Sequence, residues 1–286
     1  MFKFKNFLNN ENVKIVEKKD NMRVLEYIND LSVTPYSATT AYFSSKMNIR
    51  KRQVLIEINN NEYTVSAGAM QWTVGNVEMS SNVKGVGDLI GKKLKGAVTK
   101  ESTVKPSYKG KGLLMLEPTY RHILLEDISE WEGGIVLDDG LFLACESTVK
   151  QEVVMRSNLS SALFGNEGLF NLKLSGNGVA ALESFVPRNE LVEITLDNDV
   201  LKVDGNFAIA WSGTLNFTVE KSAKSLIGSG LSGEGLVNVY RGTGKVLLAP
   251  VNGQAMSQRT ISAPPTNDNG PSPSTASSVL NILGKL

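Results

Sequence analysis

An eleven-residue stretch is written almost identically twice in this chain. Tyr108–Pro118 reads YKGKGLLMLEP and Tyr240–Pro250 reads YRGTGKVLLAP. A degraded third copy, LSGNGVAALES, begins at Leu174. The paired glycines fall at Gly110/Gly112, Gly176/Gly178 and Gly242/Gly244, a step of 66 residues each time. Each pair is followed by an apolar alternation, and eight or nine residues before each stands a glutamate: Glu101, Glu167 or Glu234. Gly-x-Gly ahead of a strand leaves the backbone without Cβ atoms, so that it can turn sharply or another strand can approach closely. A unit of about 66 residues with a half-buried sheet is small for independent stability, and stacking related units buries a shared core. The repeat therefore predicts three units over 53–118, 119–184 and 185–250, in a pseudo-threefold arrangement.

The rest of the chain agrees with a β architecture. Short runs of alternation such as QVLIEI, EYTVSA, LFLACE, LVEITL and LNFTVE place one strand face in a core and the other in solvent. Between them lie Asn, Asp and Gly clusters, INNNE at 58–62, LDDG at 137–140 and LDND at 196–199, whose chemistry suits tight hairpins. These turn-plus-strand elements step by 79 and then 59 residues, so the loops must absorb the difference. Helical signals are nearly absent between residues 13 and 250. The expected organisation is an N-terminal β extension over 1–52, the triplicated all-β core over 53–250, and a flexible tail over 251–286. Four of the nine prolines fall in the Ser/Thr-rich stretch 257–278. The tail ends in SVLNILGKL, whose apolar residues line one helical face and suit a docking peptide.

VSAGAMQWTVGNVEM (65–79), YKGKGLLMLEP, LFLACESTV, GLFNLKLSGNGVAAL, LKVDGNFAIAW and GLSGEGLVNVYRGTGKVLLAP together resemble the family named after the altered inheritance of mitochondria protein 24. The resemblance covers roughly residues 50–250, and its motifs are structural glycines and strand residues. It implies a triplicated fold akin to the tryptophan RNA-binding attenuation protein, a short double-stranded β-helix. It also implies homo-oligomers, trimers among them. Bacterial members have no established enzymatic role, and fungal members are tied to organisation of the mitochondrial inner membrane.

Motifs for catalysis dissolve on inspection. Gly228, Gly230 and Gly233 spell G-x-G-x-x-G, but EGLVNVY follows as a strand where a dinucleotide site needs a helix. GTGK at 242–245 lacks the first glycine and the final Ser/Thr of a phosphate loop, Val239 and Val246 standing there instead. Glu234 occupies the last glycine of a nucleophile elbow. His122 and Cys145 are the single histidine and cysteine, too few for an ordinary zinc site. Cys145 lies in an alternating strand, where a thiol serves as a small hydrophobe. Asp138/Asp139 and Asp197/Asp199 read as turn residues. No cofactor, metal or catalytic set is expected, and one cysteine fits a reducing, cytoplasmic setting.

Charge is the remaining signal. Residues 1–112 carry 18 Lys+Arg against 10 Asp+Glu, while residues 113–250 carry 10 against 18. Such polarity steers an anionic partner to one end or lets copies meet positive to negative. Arg50, Lys51 and Arg52, with Lys92, Lys93, Lys95, Lys100, Lys105, Lys109 and Lys111, are the candidate contacts to an anionic surface. With Tyr108 the only aromatic nearby, base stacking is thin and nucleic acid is not expected as a partner. The sequence reading is a non-catalytic, homo-oligomeric scaffold or interaction protein, acting at a membrane surface or on a protein partner reached through 277–286. The alternative is a module for a small ligand or RNA.

Overall fold

The computed structural model describes residues 2–81, 105–155, 170–221 and 236–251. Strands β1 (Val13–Lys19) and β2 (Met22–Tyr27) form an antiparallel hairpin. Asp20 supplies the left-handed turn residue, with φ 47°. Helix α1 (Ala38–Lys46) follows, an element the sequence reading does not anticipate. ATTAYFSSK carries no apolar stripe, and the helix buries none of its residues, so hydrophobic periodicity had nothing to report.

Then come β3 (Arg52–Val65), β4 (Met70–Ser81), β5 (Pro106–Leu116), β6 (His122–Asp127), β7 (Ile135–Leu137), β8 (Phe142–Glu146), β9 (Val149–Met155), β10 (Phe170–Gly176), β11 (Val179–Ser184), β12 (Val192–Asp204), β13 (Ala208–Ser212), β14 (Asn216–Lys221) and β15 (Leu236–Leu248). Among the described residues they make an all-β protein of two sheets. The first, with 8 strands, runs β1-β2-β3-β8-β11-β6, with β5 added to β3 and β4 to β5. The second, with 7 strands, runs β12-β15-β13-β7-β10-β9, with β14 added to β15. The Leu125 amide donates to Glu17 Oε1 at 3.2 Å, which ties β6 back to β1 and nearly closes the first sheet into a barrel.

The wall between the sheets explains the uninterrupted apolar runs of β6 and β11. In β6 and β11, successive residues alternate between two cores. Ile123, Leu125, Val179 and Ala181 point into the barrel with Val54, Ile56, Tyr63 and Leu114. Leu124, Ala180 and Leu182 point the other way, with Ile135, Leu137, Leu174 and Leu247. A strand buried on both faces has no polar side to alternate with, so it reads as a continuous apolar segment. A third core gathers Trp211, Phe217 and Tyr240, whose ring centroids lie 5.1–5.3 Å apart.

Each Gly-x-Gly sits on a strand line paired on both sides. β5 lies between β3 and β4. β10 and β11 lie between β7 and β6 on one side and β9 and β8 on the other. β15 lies between β12 on one side and β13 and β14 on the other. Counted from the glycines, Tyr108, Leu174 and Tyr240 hold matching positions, and they face Tyr63, Ile135 and Leu201. The first copy's glycines are required by contact. A Cβ on Gly110, at φ +123°, would stand 2.2 Å from the Asn76 carbonyl oxygen, and one on Gly112 would stand 2.1 Å from that of Val74.

The expectation that each pair precedes a strand holds at the second site and needs correction at the first and third. Gly110/Gly112 lie inside β5, and Gly242/Gly244 lie inside β15, where Gly244 pairs with Leu196 of β12. Gly178 lies in no strand. It stands between the end of β10 at Gly176 and the start of β11 at Val179, so the second copy straddles the crossing from one sheet to the other. The second glycine of these two copies also meets side chains where that of the first meets backbone. A Cβ on Gly178 would stand 2.6 Å from Thr148 Oγ1 and 2.7 Å from Glu146 Oε2, and one on Gly244 would stand 2.7 Å from Ser212 Cβ. One spacing in the sequence thus serves three different local surroundings, because close approach asks only that a Cβ be absent.

The turn clusters are not hairpins. INNNE lies inside β3, where the register with β5 shifts between Asn59 and Glu62 and Asn60 takes φ 60°. LDND lies inside β12, where the register with β15 shifts between Leu196 and Asp199 and Asn198 takes φ 50°. Both are bulges, for which a left-handed Asn is as suitable as in a hairpin. LDDG instead carries the chain from β7 in one sheet to β8 in the other. Its pairing with the other two in the sequence is therefore out of step, which accounts for the uneven spacing.

Candidate functional site

Where β3, β5, β8 and β11 approach one another, a cleft of about 400 Å³ opens to solvent. Ser66–Ala69 and Glu117–Thr119 form one side, and Gly140, Phe142, Leu143 and Glu183 the other. Lys105, 8% exposed, reaches along its wall. The lysine Nζ stands 4.0 Å over the Phe142 ring and donates to Gln151 Oε1 at 3.1 Å. Ser66 Oγ donates to the Phe142 carbonyl at 2.8 Å, which fixes the β3–β4 corner against β8. The site thus offers one held cation, the carboxylates Glu117 and Glu183, and an aromatic floor. Such a lining suits a small polar molecule. None of the repeat glycines, Gly110, Gly112, Gly176, Gly178, Gly242 or Gly244, lines it.

The two residues with catalytic potential occupy separate settings. Cys145 is fully buried, with Lys105 and Gln151 near its sulfur, and burial pushes its thiol up to about 12. A thiol so far from ionisation is a packing residue. His122 stands beside Arg52 and Glu26, and burial, reinforced by the Arg52 charge, lowers it to about 4. Among the described residues no group of three or more His, Cys, Asp or Glu is placed to hold a metal ion.

The basic triplet is engaged internally. Arg52 Nε and Nη2 donate to Glu26 Oε2 at 2.9 and 2.6 Å, and only 4% of the Arg52 side chain is exposed. Arg50 Nη1 donates to the other Glu26 oxygen at 2.8 Å. Burial raises the Glu26 carboxyl, but its hydrogen bonds and charge contacts with Arg50 and Arg52 outweigh this and leave it below the usual range. Lys51 Nζ lies 3.1 Å from Asp30 Oδ1 and 4.7 Å over the Tyr27 ring. Hydrogen bonds from Ser32 and Tyr120, with a further one from Lys51, hold the Asp30 carboxyl well below its ordinary value. Lys109 and Lys111 do project from β5 into solvent, across from Glu78 and Asn76 of β4. Lys92, Lys93, Lys95 and Lys100, and the tail segment 277–286, lie outside the described residues.

Sequence reasoning missed Glu26, Asp30, Tyr120 and Gln53. Gln53 Nε2 donates to the Leu116 carbonyl at 2.9 Å and its Oε1 accepts from Tyr27 at 2.6 Å. Apart from Ser32, two positions from Asp30, and Gln71, 18 positions from Gln53, the hydrogen-bond partners of these residues lie 21 to 90 positions away, so local spacing betrays little of the cluster. No helix among the described residues is long and apolar enough to cross a membrane.

Comparison with known proteins fits this picture. An uncharacterised protein of Streptococcus pyogenes serotype M6 is 30% identical over 196 residues, covering 65% of this chain and 75% of that protein. The crystal structure of a protein from Streptococcus pyogenes aligns with a TM-score of 0.55 at 23% identity, over 83% of this chain and 97% of that one, a likeness of fold. Residues 46–251, well over half of the chain, match the family described as Mitochondrial biogenesis AIM24, and the protein belongs to that family.

Proposed function

We propose that this chain is a non-catalytic scaffold, built from three related β units, that works by assembling with copies of itself. The three units are supported by the register. In every copy the strand carrying or following Gly-x-Gly is the middle one of three. Its later half pairs with Trp72–Thr73, Ala144–Cys145 and Ala210–Trp211 at matching steps. Each of those joints carries a register shift at one corresponding position, next to Met70, Phe142 and Ala208. Independent strands have no reason to repeat a bulge at one step, whereas copies of one unit do.

The observation that carries the scaffold reading is the disposition of reactive groups: the one thiol is sealed in the core and the one imidazole is set against a guanidinium. Net charge of opposite sign on the two parts of the sequence gives copies a means of association. A second reading, a small-ligand module, is favoured by the Lys105–Phe142 cleft, which lies at a junction between the first two units.

Light scattering on the full chain at low and high salt tests the first reading. A defined oligomer that loses subunits as salt rises is expected. A monomer at every salt concentration would remove the self-assembly reading and leave the cleft as the place to search.

A further inference from the structure

The cleft beside β3, β5 and β8 keeps its charges at different depths. Phe142 and Leu143 are buried and form its floor, with Lys105 only 8% exposed beside them. Gly68, Glu117 and Gly140 stand exposed at the rim, and Glu183 is half-buried. A cation therefore lies deep in the cleft, and two carboxylates lie nearer to solvent.

Lys105 is held in position from the core outward. Its Nζ lies 4.0 Å over the Phe142 ring and donates to Gln151 Oε1 at 3.1 Å. Gln151 is oriented by its other atom, because Nε2 donates to the sulfur of Cys145 at 3.4 Å. Cys145 is itself fully buried, so the thiol serves as a fixed end for this chain of contacts. The ring face and the amide oxygen are uncharged. A carboxylate brought beside the ammonium gains a charge-assisted bond in a place sheltered from water.

The rim is built before any ligand arrives. The Ser66 amide donates to the Leu143 carbonyl at 2.8 Å, and the Glu117 amide to that of Ala69 at 2.7 Å. The Glu183 amide donates to the Leu141 carbonyl at 2.6 Å. With the rim tied down in this way, little ordering need accompany binding. Gly68 and Gly140, at φ +79° and +80°, have no atom within 4 Å of a built Cβ, so these two rim turns face open space.

We infer that the cleft binds a short zwitterion, with a carboxylate at one end and an ammonium at the other, of the size of a dipeptide; the assignment rests on the small-ligand reading. The carboxylate meets Lys105 at depth, and the ammonium is held at the rim by Glu117 and Glu183. A volume of about 400 Å³ suits a molecule of that size. The order of charges selects against other classes. A dianion sets its second charge beside two carboxylates, and a dication sets one of its own beside a lysine, and like charges so placed repel. A neutral molecule leaves both ends of the cleft unanswered. Arg121 Nη1 stands 4.0 Å from Glu183 Oε2 and offsets part of that charge, so Glu117 is the carboxylate whose loss should matter more.

Isothermal titration calorimetry of the full chain tests the class. Glycylglycine, succinate, putrescine and N-acetylglycinamide serve as zwitterionic, dianionic, dicationic and neutral probes. Glycylglycine is expected to bind, and the other three to bind about tenfold more weakly or worse, the worth of one hydrogen bond to a charged group. Lys105→Met keeps an unbranched stem against Phe142 and should weaken glycylglycine by a similar factor while admitting putrescine. Glu117→Gln, at an exposed position, should weaken glycylglycine and admit succinate. Such an exchange of preference is a readout that misfolding cannot produce.

If glycylglycine binds but neither Lys105→Met nor Glu117→Gln alters its affinity, it sits elsewhere and the inference is overturned. If another of the four probes binds best, and a cleft variant alters that binding, the small-ligand reading stands and the zwitterion falls. If none of the four binds, both fall.

Discussion

At the scale of single residues, the Gly-x-Gly motif is a contact requirement. Two glycines of this chain separate the causes of a glycine's cost. Gly140 has φ +80° but no atom within 4 Å of a built Cβ, so alanine there meets only the left-handed backbone penalty, about 1–2 kcal/mol. Gly110 has φ +123° and a carbonyl oxygen 2.2 Å from that Cβ, so alanine adds overpacking of about 1–3 kcal/mol to a similar backbone term. Urea unfolding of Gly110→Ala and Gly140→Ala should therefore rank the first as clearly the more damaging. Equal losses would mean that β4 moves aside and that close approach is not the motif's purpose. The motif was plain in the sequence. Its contact partners were not: Asn76 and Val74, which crowd Gly110 and Gly112, stand 34 and 38 positions earlier, and Ser212, which crowds Gly244, stands 32 earlier. Even Gly178, whose neighbours Glu146 and Thr148 lie about 30 positions back, meets them only because β8 and β9 fold beside it.

At the scale of elements, the N-terminal extension is joined to the core by more than strand pairing. β2 pairs with β3 from Met22↔Ile56 to Glu26↔Arg52, and the last of these pairs is also the buried ion pair. Removing one partner of a buried pair costs about 3–5 kcal/mol, since the other is left charged and unsolvated. Glu26 keeps Arg50, so Arg52→Ala should fall near the low end of that range in urea unfolding. A loss well below about 1 kcal/mol would show that water reaches Glu26 and that the pair is a surface one in effect. From sequence the same arginine read as part of a basic surface run. Charge composition reports that cations are present; whether a carboxylate waits beside one depends on a strand that arrives from 26 residues away. Helix α1 was illegible for the opposite reason, having no buried face to impose a period.

At the scale of the whole molecule, stability should fall on mild acidification through His122. Its folded value, about 4, lies below the ordinary 6.5, so the unfolded chain binds a proton that the native one refuses. The contribution is complete above pH 6.5 and is lost progressively as pH drops toward 4. Glu26 and Asp30, held low in the fold, add their own loss only below the ordinary carboxylate range. The urea midpoint should drop between about pH 7.5 and about pH 5.5, and His122→Asn should flatten that interval. An equal drop in the variant would place the proton uptake elsewhere.

The sequence alone determined that the chain is all-β and that its glycine pairs recur at a fixed step, because strand alternation and Cβ-free positions are local demands written into neighbouring residues. It even marked the bulges, though as hairpins, since a left-handed Asn serves both. What only the tertiary structure decided is which face each strand buries, which charges are neutralised and which strands pair. Those outcomes depend on partners tens of residues away along the chain, brought together by the closing of a sheet rather than by any spacing a single strand can carry.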